Sequence, residues 1–301
     1  KLKKQGKEII LVTSGAVGLG KKKIGADSTE AIAMKQACAA IGQSKLMSIY
    51  ENAFEQYNIN VAQILLTEDD FALRRKYLSL KMTLDKLLEL NVIPIINQND
   101  TVSVIQLGEK SEDVQVCFSD NDKLSALVAS EMCADLLIIL SDVSGLYNKN
   151  PKEHEDAQII PVVEKLTPEI MSFGTSASAG GRGGMKTKLE AARLVTRSGG
   201  AVIIANGKNP LILSEIFANK QVGTLFLPDD DLLSGKKRWI GYATNIIGKI
   251  IINHGAKKAV LEKGSSLLPI GVVEVINEFK RGEVISILDE NKEEIRSEER
   301  R

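Results

Sequence analysis

The sequence predicts an α/β protein with a mainly parallel sheet, followed by a small, separate β-rich domain. From the start to about Gly200, short apolar runs alternate with longer stretches of helical periodicity, the pattern that a parallel sheet with crossover helices requires. After Phe226 the texture turns polar, with Pro228, three aspartates from Asp229 to Asp231, and Lys236, Lys237 and Arg238. From about Lys249 the runs are short, β-branched and broken by Gly255, Gly264, Gly271 and Gly282, which suits a small barrel or sandwich. These changes divide the chain into a domain over 1–227, a linker over 228–248 and a second domain over 249–301.

Taken in order, Lys1 to Gly6 reads as the last turn of a helix, basic as helix C-termini tend to be and closed by Gly6. A domain seldom opens on the end of a helix, so an earlier strand and helix are expected in the natural protein. Strands are predicted at Glu8 to Thr13, Val61 to Leu66, Val92 to Asn97, Asp135 to Ser141 and Ala201 to Ala205. Between them, Ala31 to Tyr57, Arg74 to Leu90, Lys123 to Cys133 and Lys186 to Ser198 carry helix-forming residues at helical spacing. The tail from Lys292 is highly charged and reads as disordered or as a strand cut short.

Composition narrows the function. Lys and Arg total 39 against 39 Asp and Glu, so no long-range field draws the chain to nucleic acid or an anionic membrane. Three cysteines, Cys38, Cys117 and Cys133, form no CxxC pair, and their odd number favours a reducing, cytoplasmic compartment. The two histidines, His154 and His254, lie far apart in charged or turn-like contexts, which argues against a zinc site. The longest apolar runs fall far short of the roughly 20 residues a membrane helix needs, and the basic start leads into no signal-peptide core.

Four loops follow predicted strands, at the strand ends where open α/β sheets bind ligands. Thr13 to Gly20 is glycine-rich and exposes backbone N–H groups, although its spacing is not that of a dinucleotide site; a tight turn where a helix packs on the sheet explains it as well. Asn97-Gln98-Asn99-Asp100 and Ser119-Asp120-Asn121-Asp122 could be ordinary turns and helix caps. Together they offer carboxylates for a substrate ammonium and amides for a substrate carboxylate. Gly180 to Lys188 runs into a helix whose N–H groups can hold anionic oxygens, but Met185 between Gly184 and Lys186 rules out a P-loop. A further turn, Ser141 to Tyr147, suits a nucleotide base or ribose.

The set VTSGAVGLG (Val12 to Gly20), PIINQND (Pro94 to Asp100), SDNDKLSAL (Ser119 to Leu127), LSDVSGLY (Leu140 to Tyr147) and GRGGMKTK (Gly181 to Lys188) resembles the glutamate 5-kinase family. GSSLLPIGV (Gly264 to Val272) and FKRGEVISI (Phe279 to Ile287) resemble the PUA domain that many bacterial members append. That domain separates the chain from aspartate, acetylglutamate, carbamate and uridylate kinases.

The resemblance implies an αβα sandwich of the amino acid kinase fold with a PUA-like barrel, ATP with Mg2+, and L-glutamate as acceptor on the way to proline. It implies that Ser14, Gly15, Asp100 and Asn121 bind glutamate. It likewise implies that Ser141, Asp142, Arg182, Gly183, Gly184, Met185, Lys186, Thr187 and Lys188 bind ATP. Lys188 would stabilise the transferring phosphoryl group, and Asp122 would orient the lysines that do so. No protein metal ligands are implied. A γ-carboxylate with a pKa of about 4.3 is already ionised at neutral pH, so no general base is required. Catalysis reduces to bringing two anions together and spreading charge over phosphoryl oxygens.

Two departures bear on this. The family's first strand carries a Lys-Gly motif with no counterpart here, so the 301-residue stretch alone is expected to be nearly inactive; measurable glutamate-dependent turnover by it would refute that. Arg182 and Lys186 also make the phosphate loop more basic than the family often shows. A dimer or tetramer and feedback inhibition by proline are expected from the family. RNA binding by the PUA-like part is the weaker reading, because Lys249 to Arg301 holds ten basic and ten acidic residues. The alternatives are another carboxylate or carbamate kinase of the same fold, or a catalytically incomplete RNA-binding or regulatory protein.

Overall fold

In the computed structural model the chain opens with a single 3-10 turn, Lys3–Gln5, ended by Gly6 at φ 76° with its N–H on the Lys3 carbonyl. This is the helix-like close expected at Lys1 to Gly6. The structure describes residues 1–25, 31–102, 121–151, 153–174, 184–229, 248–263, 265–279, 284–292 and 294–299. They fall into two units, residues 1–68 with 79–233, and residues 69–78 with 234–301. Most of the expected linker over 228–248 lies outside the described residues.

In the first part of the chain the order is β1 (Leu11–Val12), α1 (Ala16–Ile24), α2 (Ile32–Glu55), β2 (Val61–Leu66), α3 (Glu68–Ala72), α4 (Arg74–Glu89), β3 (Ile93–Gln98) and α5 (Asn121–Glu131). It continues with β4 (Leu136–Ser141), β5 (Val162–Val163), α6 (Pro168–Ser172), α7 (Met185–Thr196), β6 (Ala201–Asn206), α8 (Ile212–Ile216) and β7 (Thr224–Phe226). Strands β1-β3-β2 form one parallel set, with Leu11 opposite Ile95 and Val61 opposite Ile93. Strands β4-β6-β7-β5 form the other, in which only β6 and β7 run antiparallel. β3 is central to its set, and Ile93, Ile95 and Ile96 are fully buried, which is why it reads as an unbroken apolar run instead of alternating.

Three expectations change. The strand expected at Glu8 to Thr13 contracts to Leu11–Val12, extended only by the Thr13 N–H on the Ile96 carbonyl at 2.9 Å. The glycine-rich run after it is a loop only as far as Gly15, because Ala16–Ile24 is helical. Gly20 is buried against α2: a Cβ there would sit 1.8 Å from the Cys38 carbonyl oxygen, and one at Gly42 would sit 1.8 Å from that of Ala16. These glycines serve close helix packing, the structural alternative already open for this segment.

In the last part, β8 (Gly248–Ile252), α9 (His254–Lys263), β9 (Val272–Ile276), β10 (Val284–Leu288) and β11 (Glu294–Glu299) build a sheet ordered β11-β10-β8-β9. Ile250, Ile252, Ile285 and Ile287 form its core. Helix α9 is the third change. Gly255 reads as a breaker, but it lies in a first turn that Asn253 caps by accepting the Ala256 N–H at 2.8 Å.

Candidate active site

The C-terminal end of β1 sets the first wall of the site. Thr13 pairs with β3, Ser14 is exposed, and Gly15 takes φ 98° so that the chain can turn directly into α1. Any side chain at Gly15 would be strained. A cavity of 1680 Å³ opens there, and its lining includes Ser14, Gly15, Asp100, Asn121 and Asp122. All the residues expected to hold the acceptor substrate therefore meet in one place, although β1, β3 and α5 are far apart in sequence.

Behind that wall lies a chain of neutral amides. Asn97, within β3, is 2% exposed and donates through Nδ2 to Oε1 of Gln43 at 2.9 Å. Gln43, on the buried face of α2, donates to Oε1 of Gln63 at 3.3 Å. Asn121 donates through Nδ2 to the Thr13 carbonyl at 2.7 Å and lies 3.5 Å from Oδ1 of Asn97. The Thr13 hydroxyl shares a 2.7 Å hydrogen bond with the Tyr50 hydroxyl. Sequence reasoning counted Asn97 both as the end of a strand and as the start of a ligand loop; it is a strand residue that braces Asn121. It overlooked Gln43, although a glutamine on a stripe with Cys38, Ala39 and Leu46 is a legible signal of a buried polar contact.

The second wall is ionic. Asp122 begins α5 and Lys188 lies in the first turn of α7, and these two helices pack together. Lys188 donates from Nζ to Oδ2 of Asp122 at 2.8 Å, with the two side chains 11% and 15% exposed. The Thr187 hydroxyl shares its one hydrogen between the same Oδ2, at 3.2 Å, and the Gly184 carbonyl, at 2.9 Å. A largely buried ammonium held this way is fixed in position beside the carboxylate. The expected association of Asp122 with a lysine is thus a direct contact.

The nucleotide-side residues divide. Ser141 ends β4, and its hydroxyl donates to Oδ1 of Asp142 at 3.3 Å in an exposed setting. The turn that follows is tied down by Thr224, which accepts the Leu146 N–H at 2.8 Å and donates to the Ile160 carbonyl at 2.7 Å. Gly184 is the N-cap of α7, and Met185, Lys186, Thr187 and Lys188 form its first turn, in which the Thr187 N–H bonds the Gly184 carbonyl at 3.2 Å. None of these residues lines the 1680 Å³ cavity. Arg182 and Gly183 lie outside the described residues, as do Ser119 and Asp120.

An α/β fold whose strand ends bring Ser14, Gly15, Asp100 and Asn121 to a cavity beside a buried lysine is the arrangement of a small-molecule kinase. Residues 1–206 match the amino acid kinase family and residues 248–295 match the PUA domain, and the chain belongs to the amino acid kinase family. Within that family it groups with the glutamate 5-kinases. It is 46% identical over 288 residues to the glutamate 5-kinase of Geobacter sulfurreducens, covering 95% of this chain and 75% of that protein. It is equally similar to the glutamate 5-kinase of Methanosarcina barkeri, covering 95% of this chain and 73% of that one. The solved structure of carbamate kinase from Giardia lamblia bound to AMP-PNP shares the fold, with a TM-score of 0.50 and 19% identity over 76% of this chain and 86% of that one.

Proposed function

We propose that this chain transfers the γ-phosphoryl group of ATP to the γ-carboxylate of L-glutamate, giving glutamyl 5-phosphate. The observation that carries the reading is the buried Lys188–Asp122 pair, set at two helix starts beside a cavity that holds Ser14, Gly15, Asp100 and Asn121. The similarity to glutamate 5-kinases over most of the chain supports glutamate as the acceptor.

In this reading Ser14, Gly15, Asp100 and Asn121 hold the amino acid with its side-chain carboxylate toward Lys188. Asp122 keeps the Lys188 ammonium where negative charge develops on the phosphoryl oxygens, a stabilisation strong in a water-poor site. Ser141 and Asp142 contact the nucleoside, and the segment Arg182 to Lys188 covers its phosphates, with the start of α7 contributing N–H groups. Magnesium enters with the nucleotide as MgATP, held by phosphate oxygens, the usual mode for this ion. Among the described residues no group of three or more His, Cys, Asp or Glu side chains that could hold a metal ion is present.

The domain limits that go with this reading are 1–227 for the kinase part and 249–301 for the PUA-like part, joined by 228–248. A homo-oligomer and inhibition by proline belong to the same proposal. Cytoplasmic residence does as well; no helix among the described residues is long and apolar enough to cross a membrane.

The test is ADP release by the natural protein with MgATP and glutamate, aspartate, acetylglutamate or carbamate in turn, with hydroxylamine present to trap acyl phosphate. Turnover and a hydroxamate with glutamate alone are expected. Turnover with a different acceptor would reassign the substrate, and none with any acceptor would sink the kinase reading.

A further inference from the structure

The side chain of Asn121 is held from two directions by atoms whose roles cannot be exchanged. A backbone carbonyl only accepts and a backbone N–H only donates. The Thr13 carbonyl therefore faces Nδ2 of Asn121, at 2.7 Å, and the Gln98 N–H faces Oδ1 of Asn97, at 2.9 Å. With its oxygen so assigned, Asn97 has to donate through Nδ2, and it does so to Oε1 of Gln43 at 2.9 Å. Gln43 is left with Nε2 as donor, which reaches Oε1 of Gln63 at 3.3 Å. Oδ1 of Asn97 also lies 3.5 Å from Nδ2 of Asn121, so both hydrogens of that amide have acceptors. The one side-chain polar atom Asn121 has left for the cavity it lines is its carbonyl oxygen, Oδ1.

We infer that Gln43 is a positioning residue for substrate choice: by accepting from Nδ2 of Asn97 it steadies that amide, and with it the second acceptor that holds Asn121 carbonyl-outward beside the Thr13 carbonyl, so that Asn121 selects an ammonium. The inference rests on the reading of the site as an amino-acid kinase and sharpens it. From composition alone, loop amides suit a substrate carboxylate; the direction of this hydrogen-bond chain assigns Asn121 the opposite role. Gln43 is 8% exposed and does not line the cavity, so it acts only through its neighbours.

Replacing Gln43 by leucine removes the acceptor of a buried N–H. The Asn97 amide is then left either with that N–H unpaired or rotated with its NH2 against the Gln98 N–H and the Asn121 NH2, both donors, and in either case its hold on Asn121 loosens. Gln43→Glu keeps the acceptor and gives up only the bond to Gln63, whose own position is exposed.

The experiment compares L-glutamate with glutarate, the same diacid without an ammonium, in the natural protein and its Q43L and Q43E variants. It reads kcat/KM, or the inhibition constant where turnover is too slow, together with KM for ATP. In Q43L the preference for glutamate over glutarate is expected to fall about tenfold, the size of one buried hydrogen bond, with KM for ATP unchanged. Q43E is expected to stay within about threefold of the natural protein, since its acceptor is intact. Equal losses for both diacids in Q43L, or a loss in Q43E as large as in Q43L, would reduce Gln43 to a scaffold residue and overturn the inference. Melting temperatures check folding, and Q43M carries the same test if Q43L does not fold. If the natural protein uses another acceptor, the glutamate reading fails by itself, and the ratio is taken for that acceptor and its deamino analogue; an acceptor without an ammonium overturns this inference too.

Discussion

The two walls of the site solve the same positioning problem with different chemistry. Around Thr13, Asn97 and Asn121 the groups are neutral amides and hydroxyls, linked end to end and anchored on the backbone. Around Asp122 and Lys188 a single carboxylate oxygen gathers an ammonium and a hydroxyl. A buried neutral network adds no charge but has a direction, so it can discriminate between substrate donors and acceptors. A buried ion pair discriminates little, yet it holds charge where a phosphoryl group needs it. Selection is therefore expected to fail on the amide side and rate on the ionic side.

The strongest way to break this comparison is Lys188→Met, for which kcat is expected to fall about a thousandfold, the upper range for one electrostatic contact. A comparable rise in glutamate KM at unchanged kcat, in steady-state assays, would put Lys188 on the wrong side. Asp122→Asn leaves an acceptor without a charge, and about a hundredfold loss in kcat is expected with glutamate preference over glutarate intact. For Gly42→Ala the readout is stability: the added methyl meets the Ala16 carbonyl, which belongs to a helix backbone, and a loss of about 3 kcal/mol in denaturant unfolding is expected. An unperturbed unfolding midpoint would mean that the helices separate freely. Smallest is Thr187→Val, which removes one hydroxyl from Asp122 while leaving Lys188; about a fivefold fall in kcat is expected, near the net value of one long hydrogen bond.

Periodicity made the regular elements legible. Val61–Leu66 stands where its apolar run predicts a strand, and α2, α4 and α7 differ from their predicted ranges by at most two residues at either end. The site was legible as motifs at strand ends, which is why Ser14, Asp100, Asn121 and Asp122 could be named before their meeting was seen. The short strands β5 and β7 were not legible, because two or three residues carry no period. Helix α1 was hidden because Gly18 and Gly20 read as loop, while the cause of Gly20 lies on α2, beyond any local window. The amide chain was hidden for a related reason: Gln43 and Asn97 are 54 positions apart, and which end of each amide donates is decided by backbone groups elsewhere.

The crossing of α1 and α2 has a mechanical side. Where a Cβ would strike the carbonyl of Cys38 or Ala16, glycine carries only a hydrogen, so at Gly20 and Gly42 a Cα–H points straight at the oxygen of the other helix. Two such weak bonds, each worth about 0.5–1 kcal/mol, run in opposite directions across the contact. They pin the register of α1 against α2 where the two backbones come closest. Since α1 starts at the Gly15 turn and α2 carries Gln43 next to Gly42, that one crossing ties the turn to the root of the amide chain.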